Sequence, residues 1–578
     1  MPTQSDNLPE VVTIDGWKGL NAQNSRGTID DQELFWSENL YQVGAGALRS
    51  MWGPSGPVYT APAGLVIRRF FCGFYGLDLP QYGQPPPGRK AWLFLSDGSI
   101  DEVDLDTRAV TRIGGGRPLW NPVAPKWWAD AVVWRPRWVG GVLGEIGGVI
   151  FGSPGGQHPG ALGGIVAYDG TNQGPHGDGT YVAGDPAPLW LTYADVTGTD
   201  ATVMPWGLPD VYALEVFSAR LWVAGKDVIS WSAATNGSDF SDVNGGGSVA
   251  YFGDKLTYTY TDLAASSGYL FCFGDSSTDV ISQPTTLGAG TPGSPVTTVF
   301  QYTNADPQVG HRFPRPVGKW GRYLILFNGA GIWQMLGGDA QNISEKVSGI
   351  HRTMDTTQFY PTMAVTTTMF GFRVLMCNAR WTDPFGQTRS FMLVWNGETW
   401  TAASQHYNLT EINQYEDSSV IWAYGTDGTN LYRLFDQPDA TLIKRLSTKS
   451  LRGKGLEQLT VKDWKRVYME ITDETARGLP LQPAPEPVSF PHGVSILGTL
   501  TALGGTEGGS CPVSFQLPSS MQAGPTGTRP VPLSKTAIVP CRTIGKGIAG
   551  ELDLHSLSPD FTVERIHLAA EQRFFWGA

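Results

Sequence analysis

The sequence is short of charged residues and of the residues that build long helices. Only 16% of its 578 residues are Asp, Glu, Lys or Arg, whereas 41% are hydrophobic and 11% are aromatic. Long amphipathic helices need a richer supply of Ala, Glu, Lys and Leu. The 73 glycines and 41 prolines interrupt the chain at short intervals, as turns between strands do. The composition therefore predicts an all-β protein.

Cysteine is also scarce, and it forms no recognisable framework. The five cysteines are widely spaced and make no Cys-x-x-Cys pair; they are Cys72, Cys272, Cys377, Cys511 and Cys541. Such usage is typical of a reducing compartment. The first residues show no basic and apolar signal regions, and no apolar run approaches the roughly 18 residues of a membrane span. We therefore expect folding in a cytoplasm without membrane insertion.

No motif for catalysis or cofactor binding is visible. The eight histidines are isolated, so none has the spacing of a metal site. Phosphate-binding, dinucleotide, HExxH and GxSxG motifs are absent from the sequence. The segment NGETW at 396–400 resembles the end of a sialidase Asp box, but it occurs once and lacks the Asp. We therefore predict a protein that is not an enzyme, with no metal and no cofactor.

Positive charge is not in excess either. The chain has 41 basic and 53 acidic side chains, for a formal charge of −12. A general nucleic-acid-binding protein needs a net basic surface, so this balance argues against one. DNA could still pass close to an acidic surface without adhering to it.

What the sequence does have is a repeated hairpin. Between Val216 and Phe240, alternating apolar residues flank a short turn at Gly225, which predicts a hairpin with one buried face. Similar hairpins recur, each marked here by one apolar residue: Trp92, Val149, Leu221, Leu270, Leu324, Val374 and Val420. The last four spacings are 49, 54, 50 and 46 residues, close to one four-stranded propeller blade. Residues 63–440 are therefore predicted to form a β-propeller of six or seven blades, with insertions at 114–146 and 170–208.

Residues 1–62 and 441–578 lack this repeat. Thr28 and the acidic residues after it resemble a helix N-cap, so a short helix is predicted over about Ile29 to Trp36 in an N-terminal arm. The C-terminal part is rich in Pro and Gly and has strand-like runs at 494–500, 513–517 and 561–568. These runs predict an additional C-terminal β-sandwich-like domain.

The arm and the blades together resemble one protein family. The letters GLN at 19–21, EN at 38–39 and GALR at 46–49, before GP at 53–54, resemble the opening of tail nozzle (DNA-stabilisation) proteins of short-tailed bacteriophages. The phrases ARLWVAG, YLFCFGDSSTDVI and NGAGIWQMLGGDAQNIS resemble successive blades of that family. The segment SMW at 50–52 departs from it, because a second basic residue is usual there.

The resemblance implies a structural virion protein. It implies a tail nozzle of six copies in a closed ring, docked below an adaptor ring, with tail fibres as further partners. Genomic DNA would be retained in the channel of this ring and ejected through it, without sequence recognition. The implied location is the virion tail, after assembly in the host cytoplasm.

Two groups of residues are candidates for contacts in such an assembly. Large apolar side chains outside the repeat predict interface anchors, since such surface is normally covered by a partner. These anchors are Trp17, Leu20, Trp36, Trp127, Trp128, Trp134 and Trp138. A basic run is the candidate for contact with DNA or a neighbouring subunit: Lys444, Arg445, Lys449, Arg452 and Lys454. Internal packing of the tryptophans and a solvated strand pair for the basic run are open alternatives.

Two other functions also fit a propeller. A polysaccharide-degrading glycoside hydrolase would need paired carboxylates at the centre of the ring. A receptor-binding module would use the tryptophan-rich first insertion, where a glycan platform would draw on the same residue types.

Overall fold

The computed structural model consists almost entirely of strands and turns in the residues that it describes. The described residues are 10–23, 25–44, 46–74, 88–113, 120, 122, 129–134, 148–153, 164–168, 189–191, 211–225, 228–234, 237, 240, 242–250, 260–288, 296–306, 308–311, 317–336, 340–355, 364–416, 421–452, 461–474, 493–504, 509–517, 521–524, 527–530 and 537–573. No helix within these residues is long and apolar enough to cross a membrane.

Five short strands precede the repeat. They are β1 (Glu10–Ile14), β2 (Leu34–Glu38), β3 (Leu40–Val43), β4 (Ala47–Ser50) and β5 (Tyr59–Thr60).

Seven four-stranded antiparallel blades follow: six are separate sheets, and the other is part of a nine-stranded sheet. Blade 1 is β6 (Ile67–Phe74), β7 (Arg89–Leu95), β8 (Ile100–Asp104) and β9 (Val110–Arg112). Blade 2 is β10 (Asp130–Trp134), β11 (Gly148–Ser153), β12 (Gly164–Tyr168) and β13 (Leu189–Leu191). Blade 3 is β14 (Ala213–Phe217), β15 (Arg220–Ala224), β16 (Val228–Trp231) and β17 (Gly247–Ala250). Blade 4 is β18 (Asp262–Ser266), β19 (Tyr269–Phe273), β20 (Thr278–Leu287) and β21 (Thr297–Asp306).

The remaining three blades follow the same plan. Blade 5 is β22 (Val317–Trp320), β23 (Tyr323–Asn328), β24 (Gly331–Met335) and β25 (Gln341–Asn342). A 3-10 turn (Glu345–Val347) and a one-turn helix α1 (Ser348–His351) lead to blade 6, which is β26 (Ala364–Met369), β27 (Phe372–Thr382), β28 (Thr388–Trp395) and β29 (Trp400–Ala403). Blade 7 is β30 (Glu411–Glu416), β31 (Ile421–Thr426) and β32 (Asn430–Arg433), completed by β5 from the start of the chain.

The seven blades form a closed ring. The first strand of each blade packs beside the first strand of the next, and β30 of blade 7 packs beside β6 of blade 1. The predicted all-β propeller is thus present, and its blade number is seven. Each of the first six hairpin markers, from Trp92 to Val374, lies in the second strand of its blade. Val420 lies outside the described residues, directly before β31.

Apolar side chains from adjacent blades share each core. Phe94 of blade 1 packs with Trp120 and with Phe151 of blade 2, while Phe70 of blade 1 shares a core with Tyr424 of blade 7. Each fully buried side chain of this size contributes about 1.5–3 kcal/mol. In the described part of the chain, the blades therefore stabilise one another through shared cores.

The two predicted insertions are partly wrong. β10 lies within 114–146 and β13 lies within 170–208, so both segments supply strands of blade 2. Glycine, proline and tryptophan in these segments obscured the alternation by which the other blades were recognised.

Nine strands after the propeller build the C-terminal domain. They are β33 (Lys444–Thr448), β34 (Val461–Asp473), β35 (Val494–Leu503), β36 (Ser510–Leu517), β37 (Met521–Gly524), β38 (Gly527–Pro530), β39 (Ala537–Gly547), β40 (Ala549–Ser556) and β41 (Phe561–Arg573). One sheet has the order β3-β4-β41-β34-β39, with β1 also on β41. It packs on β35, β36 and β40, as a sandwich does.

The second sheet extends beyond the sandwich. Its order is β26-β27-β28-β29-β2-β33-β40-β35-β36, so it starts as blade 6 and ends as the sandwich. We refer to these nine strands as the shared sheet. The arm is therefore not a separate unit, because its strands complete blade 7, the shared sheet and the other sandwich sheet.

The predicted helix at Ile29 to Trp36 is wrong. Leu34 to Glu38 is strand β2, which pairs with β33. The residues that looked like a helix cap close a turn instead: the Asp30 amide donates to Glu33 Oε2 (3.0 Å), and the Glu33 amide donates to the Asp30 carbonyl (3.1 Å). Pairing with a strand made from distant sequence overrides the local preference.

Candidate functional site

The predicted anchors of the arm lie in the protein core. Trp17, Leu20 and Trp36 are each 0% exposed. Trp17 belongs to the sandwich core, and Trp36 packs edge-on against Phe391 of blade 6, with ring centroids 5.5 Å apart. Their prediction as interface anchors is therefore corrected, because the chain itself covers them.

For the predicted anchors in the first insertion, the structure describes no side chain, so their burial cannot be compared with that of Trp17, Leu20 and Trp36. Trp127, Trp128 and Trp138 lie outside the described residues. Trp134 ends β10, and its side chain is outside the described part as well. The nearby Trp120 is 1% exposed and packs on Phe94 at 5.7 Å.

Two lysines of the basic run serve structural roles. Lys444 is 1% exposed and donates to the Asp439 carbonyl, and burial lowers the pKa of its ammonium to about 8. Lys449 donates to the Ile29 carbonyl (2.8 Å) and pairs with Asp31. The expectation of DNA or subunit contact is corrected for these two residues.

The other members of the basic run are partly accessible. Arg445 is half-buried in β33, and Arg452 is exposed. Lys454 lies outside the described residues. The run as a whole therefore does not form one basic surface.

Carboxylates at the centre of the ring join one blade to the next. Asp130 Oδ2 accepts from the Leu214 amide (2.6 Å), and Glu215 Oε2 accepts from the Ala265 amide (3.2 Å). Each bond links the first strands of adjacent blades, which form no backbone ladder with each other. An acidic residue recurring within the apolar first strand was the signal in the sequence, and it was missed.

The ring is closed by a buried ion pair, which we call the closing seam. Arg69 Nε donates to Glu411 Oε1 (3.0 Å), and both side chains are 0% exposed. Glu411 Oε2 also accepts from the Phe70 amide (3.1 Å), and Asn413 Nδ2 donates to the Phe70 carbonyl (2.9 Å). The backbone adds to this contact, because the Ile67 amide donates to the Gly428 carbonyl (2.7 Å) and β5 pairs with β32.

A cleft of about 310 Å³ lies between blades 6 and 7, beside the segment after β4. We call it the blade 6–7 cleft. Aromatic rings of Trp52, Phe370, Trp422 and Phe435 line it. The Trp52 and Phe370 rings meet edge to face at 5.9 Å. An aromatic-lined concavity with few polar groups is typical of a ligand site.

The charged groups of the cleft are one cation and one anion, and Thr367 and Thr368 also line it. Arg433 Nε lies 3.1 Å from Asp436 Oδ1, with side chains 34% and 27% exposed. The Arg433 guanidinium also lies over the Trp422 ring, 4.0 Å from its centroid. The pair is held in place yet reachable from solvent, and its charges offset each other.

Phe370 reaches the cleft from an unfavourable turn. Met369 pairs with Phe372, so Phe370 and Gly371 form a two-residue hairpin turn, with φ of 51° and 84°. Turns with two positive φ angles prefer Asn-Gly, and a left-handed conformation costs a residue such as Phe about 1–2 kcal/mol. The aromatic ring is present despite this cost.

Metal ligands are not grouped in the part of the chain that the structure describes. No set of three or more His, Cys, Asp or Glu side chains there is placed to hold an ion. The predicted absence of a metal and a cofactor stays a prediction.

The ring contacts and strand orders define the class: an all-β protein built of a seven-bladed propeller and a sandwich that share a sheet. No protein-family model matches the chain, and no curated protein matches its sequence. Among solved structures, BBS1N in complex with ARL6DN is 8% identical, with a TM-score of 0.34 over 67% of this chain and 98% of that chain.

Two further structures are similarly distant. The N-terminal domain of Nup159 is 9% identical, with a TM-score of 0.24 over 75% of this chain and 96% of that chain. PorZ, of the type-IX secretion system of Porphyromonas gingivalis, is 9% identical, with a TM-score of 0.25 over 77% and 61%. At such scores, the function has to be argued from the residues of this chain.

Proposed function

We propose that this chain is the tail nozzle of a short, non-contractile phage tail. Six copies form a ring below an adaptor ring, with tail fibres as further partners. The ring retains genomic DNA in its channel and lets it pass during ejection. The proposal starts from the family resemblance of the arm and the blades, and it assigns the protein a mechanical role.

The observation that carries this proposal is the shared sheet. Backbone hydrogen bonds continue from blade 6 through β2 into the sandwich. Arg389 of β28 reinforces the crossing, because its Nη1 and Nη2 donate to the two carboxylate oxygens of Glu38 at 2.7 Å each. Bidentate pairs of this kind fix geometry. We therefore expect propeller and sandwich to move as one body, as a subunit under load must.

The charge of the chain supports passage of DNA rather than its binding. The formal charge is −12, and within the basic run Lys444 is buried and Lys449 pairs with Asp31. A channel lined by such subunits repels phosphates at short range, so DNA slides without being held.

The first test is the mass and symmetry of the assembled particle. Native mass spectrometry and electron-microscopy class averages of the purified protein with its adaptor are expected to show six copies. A ring with a different number of subunits, or a protein that stays monomeric with the adaptor, contradicts the nozzle.

A second test concerns the tryptophans that remain candidate anchors. Trp127→Ala and Trp128→Ala are each expected to weaken assembly by about 2 kcal/mol while the monomer keeps its melting temperature. Trp120→Ala is the matched control, since this buried ring is expected to lower monomer stability and leave assembly unchanged. If Trp127→Ala and Trp128→Ala instead lower the melting temperature of the monomer and leave assembly unchanged, both side chains belong to the core.

The proposed role includes no catalytic step. The central carboxylates of Asp130, Glu215 and Glu411 each accept a backbone amide of the neighbouring blade. A glycoside hydrolase uses one carboxylic acid to protonate the substrate and a second carboxylate against it. Release of reducing sugars from host polysaccharide by the purified protein would overturn this part of the proposal.

A further inference from the structure

We propose that the blade 6–7 cleft is a binding site for a neutral saccharide of one or two pyranose rings. The proposal is independent of the nozzle assignment, since all residues of the cleft belong to one copy of the chain. Its size of about 310 Å³ is at the small end of the range for ligand sites.

The aromatic walls fit the apolar side of a sugar. A pyranose ring presents a face of C–H groups, and such a face packs against an aromatic ring. Trp52 and Phe370 stand edge to face at 5.9 Å, with Phe435 also in the lining, so the cleft offers rings at different angles. Met369, Ile421 and Leu434 complete the apolar part of the lining.

The polar pair fits the hydroxyl rim of a sugar. Arg433 can only donate hydrogen bonds and Asp436 can only accept them, whereas each sugar hydroxyl does both. Two adjacent hydroxyls can therefore bind the pair together. Both side chains are about one-third exposed or less, so they are fixed yet accessible.

The local charge argues against an ionic ligand. Arg433 of the cleft pairs with Asp436. Two further arginines lie over its rings and are also paired: Arg49, over Phe370, with Asp560 at 2.8 Å, and Arg89, over Trp422, with Asp106 at 3.3 Å. An anionic ligand would have to compete with these carboxylates, and a cationic ligand with these guanidinium groups. A neutral polyhydroxylated ligand competes with neither.

The turn at Phe370 is the feature that a purely structural role explains least. Asn would relieve the left-handed backbone at this position, and Phe retains the strain while placing a ring in the cleft. Strained residues of this kind concentrate at ligand sites. A Phe370→Asn variant is therefore expected to lose binding, while relief of the left-handed backbone offsets the lost contacts of the ring with Tyr41 and Arg49.

The experiment uses the full chain and defined probes. Methyl glycosides of glucose, galactose, mannose and N-acetylglucosamine, and their β-linked disaccharides, are titrated by saturation-transfer NMR and calorimetry. At least one probe is expected to bind with a Kd of roughly 1–10 mM, which is typical of a few weak contacts. Phe370→Asn and Arg433→Met should each weaken it at least about 10-fold.

The control is Phe385→Asn, an exposed phenylalanine in another turn of blade 6. It should leave binding unchanged, and the melting temperature of Phe370→Asn should stay close to that of the wild type. The proposal is overturned if no probe shows saturation transfer at 50-fold the expected Kd of roughly 1 mM. It is equally overturned if Phe370→Asn binds as the wild type does, or if inorganic phosphate binds more tightly than every sugar.

Discussion

The two long-range junctions of this molecule are made in different ways. At the closing seam, blade 7 meets blade 1 mainly through side chains, chiefly the buried Arg69–Glu411 pair, with one backbone bond from Ile67 to Gly428. Between blade 6 and the sandwich, strand β2 continues the sheet through backbone hydrogen bonds, and Asn39 at its end adds side-chain bonds. The closing seam depends on a few side chains, whereas the shared sheet is held by many backbone hydrogen bonds. Single substitutions should therefore damage the first more than the second.

The largest effect is expected at the closing seam. Glu411→Ala leaves the buried Arg69 guanidinium without its carboxylate and should cost about 3–5 kcal/mol of unfolding free energy. Urea denaturation followed by limited proteolysis measures this loss and locates it in the propeller.

A double variant separates the charge from the packing at the seam. Arg69→Met with Glu411→Leu removes both charges and should recover most of the lost stability, because no unpaired ion remains. A Glu411→Ala loss below about 1 kcal/mol would show that the ring does not depend on this pair.

An acid-sensitive group lies in the propeller. His351 is 2% exposed between Phe327 and Trp381, and burial lowers its pKa to about 4. Between this value and 6.5 the unfolded chain binds the extra proton, so the wild type loses about 3 kcal/mol as pH falls through that window. His351→Phe should lack this loss. If the unfolding free energies of the two proteins change by the same amount between pH 7 and pH 4, this contribution of His351 is excluded.

A base-sensitive group lies in the shared sheet. Burial holds the pKa of Lys444 at about 8, below its ordinary 10.5, so the unfolded chain binds more protons between these values. The wild type should gain about 3 kcal/mol as pH rises from 8 to 10.5, while Lys444→Met should not. Subtracting the two unfolding free energies at each pH isolates this contribution. A difference that stays constant with pH rules it out.

The smallest effect is expected at the crossing into the sandwich. Asn39 is 0% exposed with φ of 58°, and its Nδ2 donates to Ser404 Oγ (2.9 Å) and the Ile443 carbonyl (2.7 Å). Asn39→Ala should cost about 2–3 kcal/mol through the lost hydrogen bonds and the left-handed backbone.

Asn39→Gly is the matched control at this position. It accommodates the backbone and loses only the side-chain bonds, so thermal unfolding should show a cost about 1 kcal/mol smaller than that of Asn39→Ala. If Asn39→Ala destabilises the protein more than Glu411→Ala does, the contrast between the two junctions is reversed.

The sequence predicted the local hairpins but not the pairing of strands that lie far apart in the chain. Hairpins were recognised because their alternation and their Gly turns lie within a few residues, and the markers fell in the second strand of blade after blade. The turn at Asp30 to Glu33 was misread as a helix start, because its outcome depends on pairing of β2 with β33, roughly 400 positions away.

The cleft was missed for the same physical reason. Trp52, Phe370 and Arg433 come from three separated segments, and the ring brings them together. The one local signal was Phe-Gly at a turn that favours Asn-Gly. Without the pairing of β26 and β27, that dipeptide cannot be recognised as a turn.

The pairing of β5 with β32, and of β1 with β41, has a consequence for the synthesis of the chain. β1 finds its partner strand only after a long further stretch of chain has been translated: Thr13 bonds to His567, 554 positions later. At roughly 5–20 residues per second this interval is about 30–110 s. Throughout it, strand β1 lacks its partner strand and can pair with a neighbouring nascent chain. Growth temperature and chaperone supply should therefore govern the yield of this protein more strongly than its final stability does.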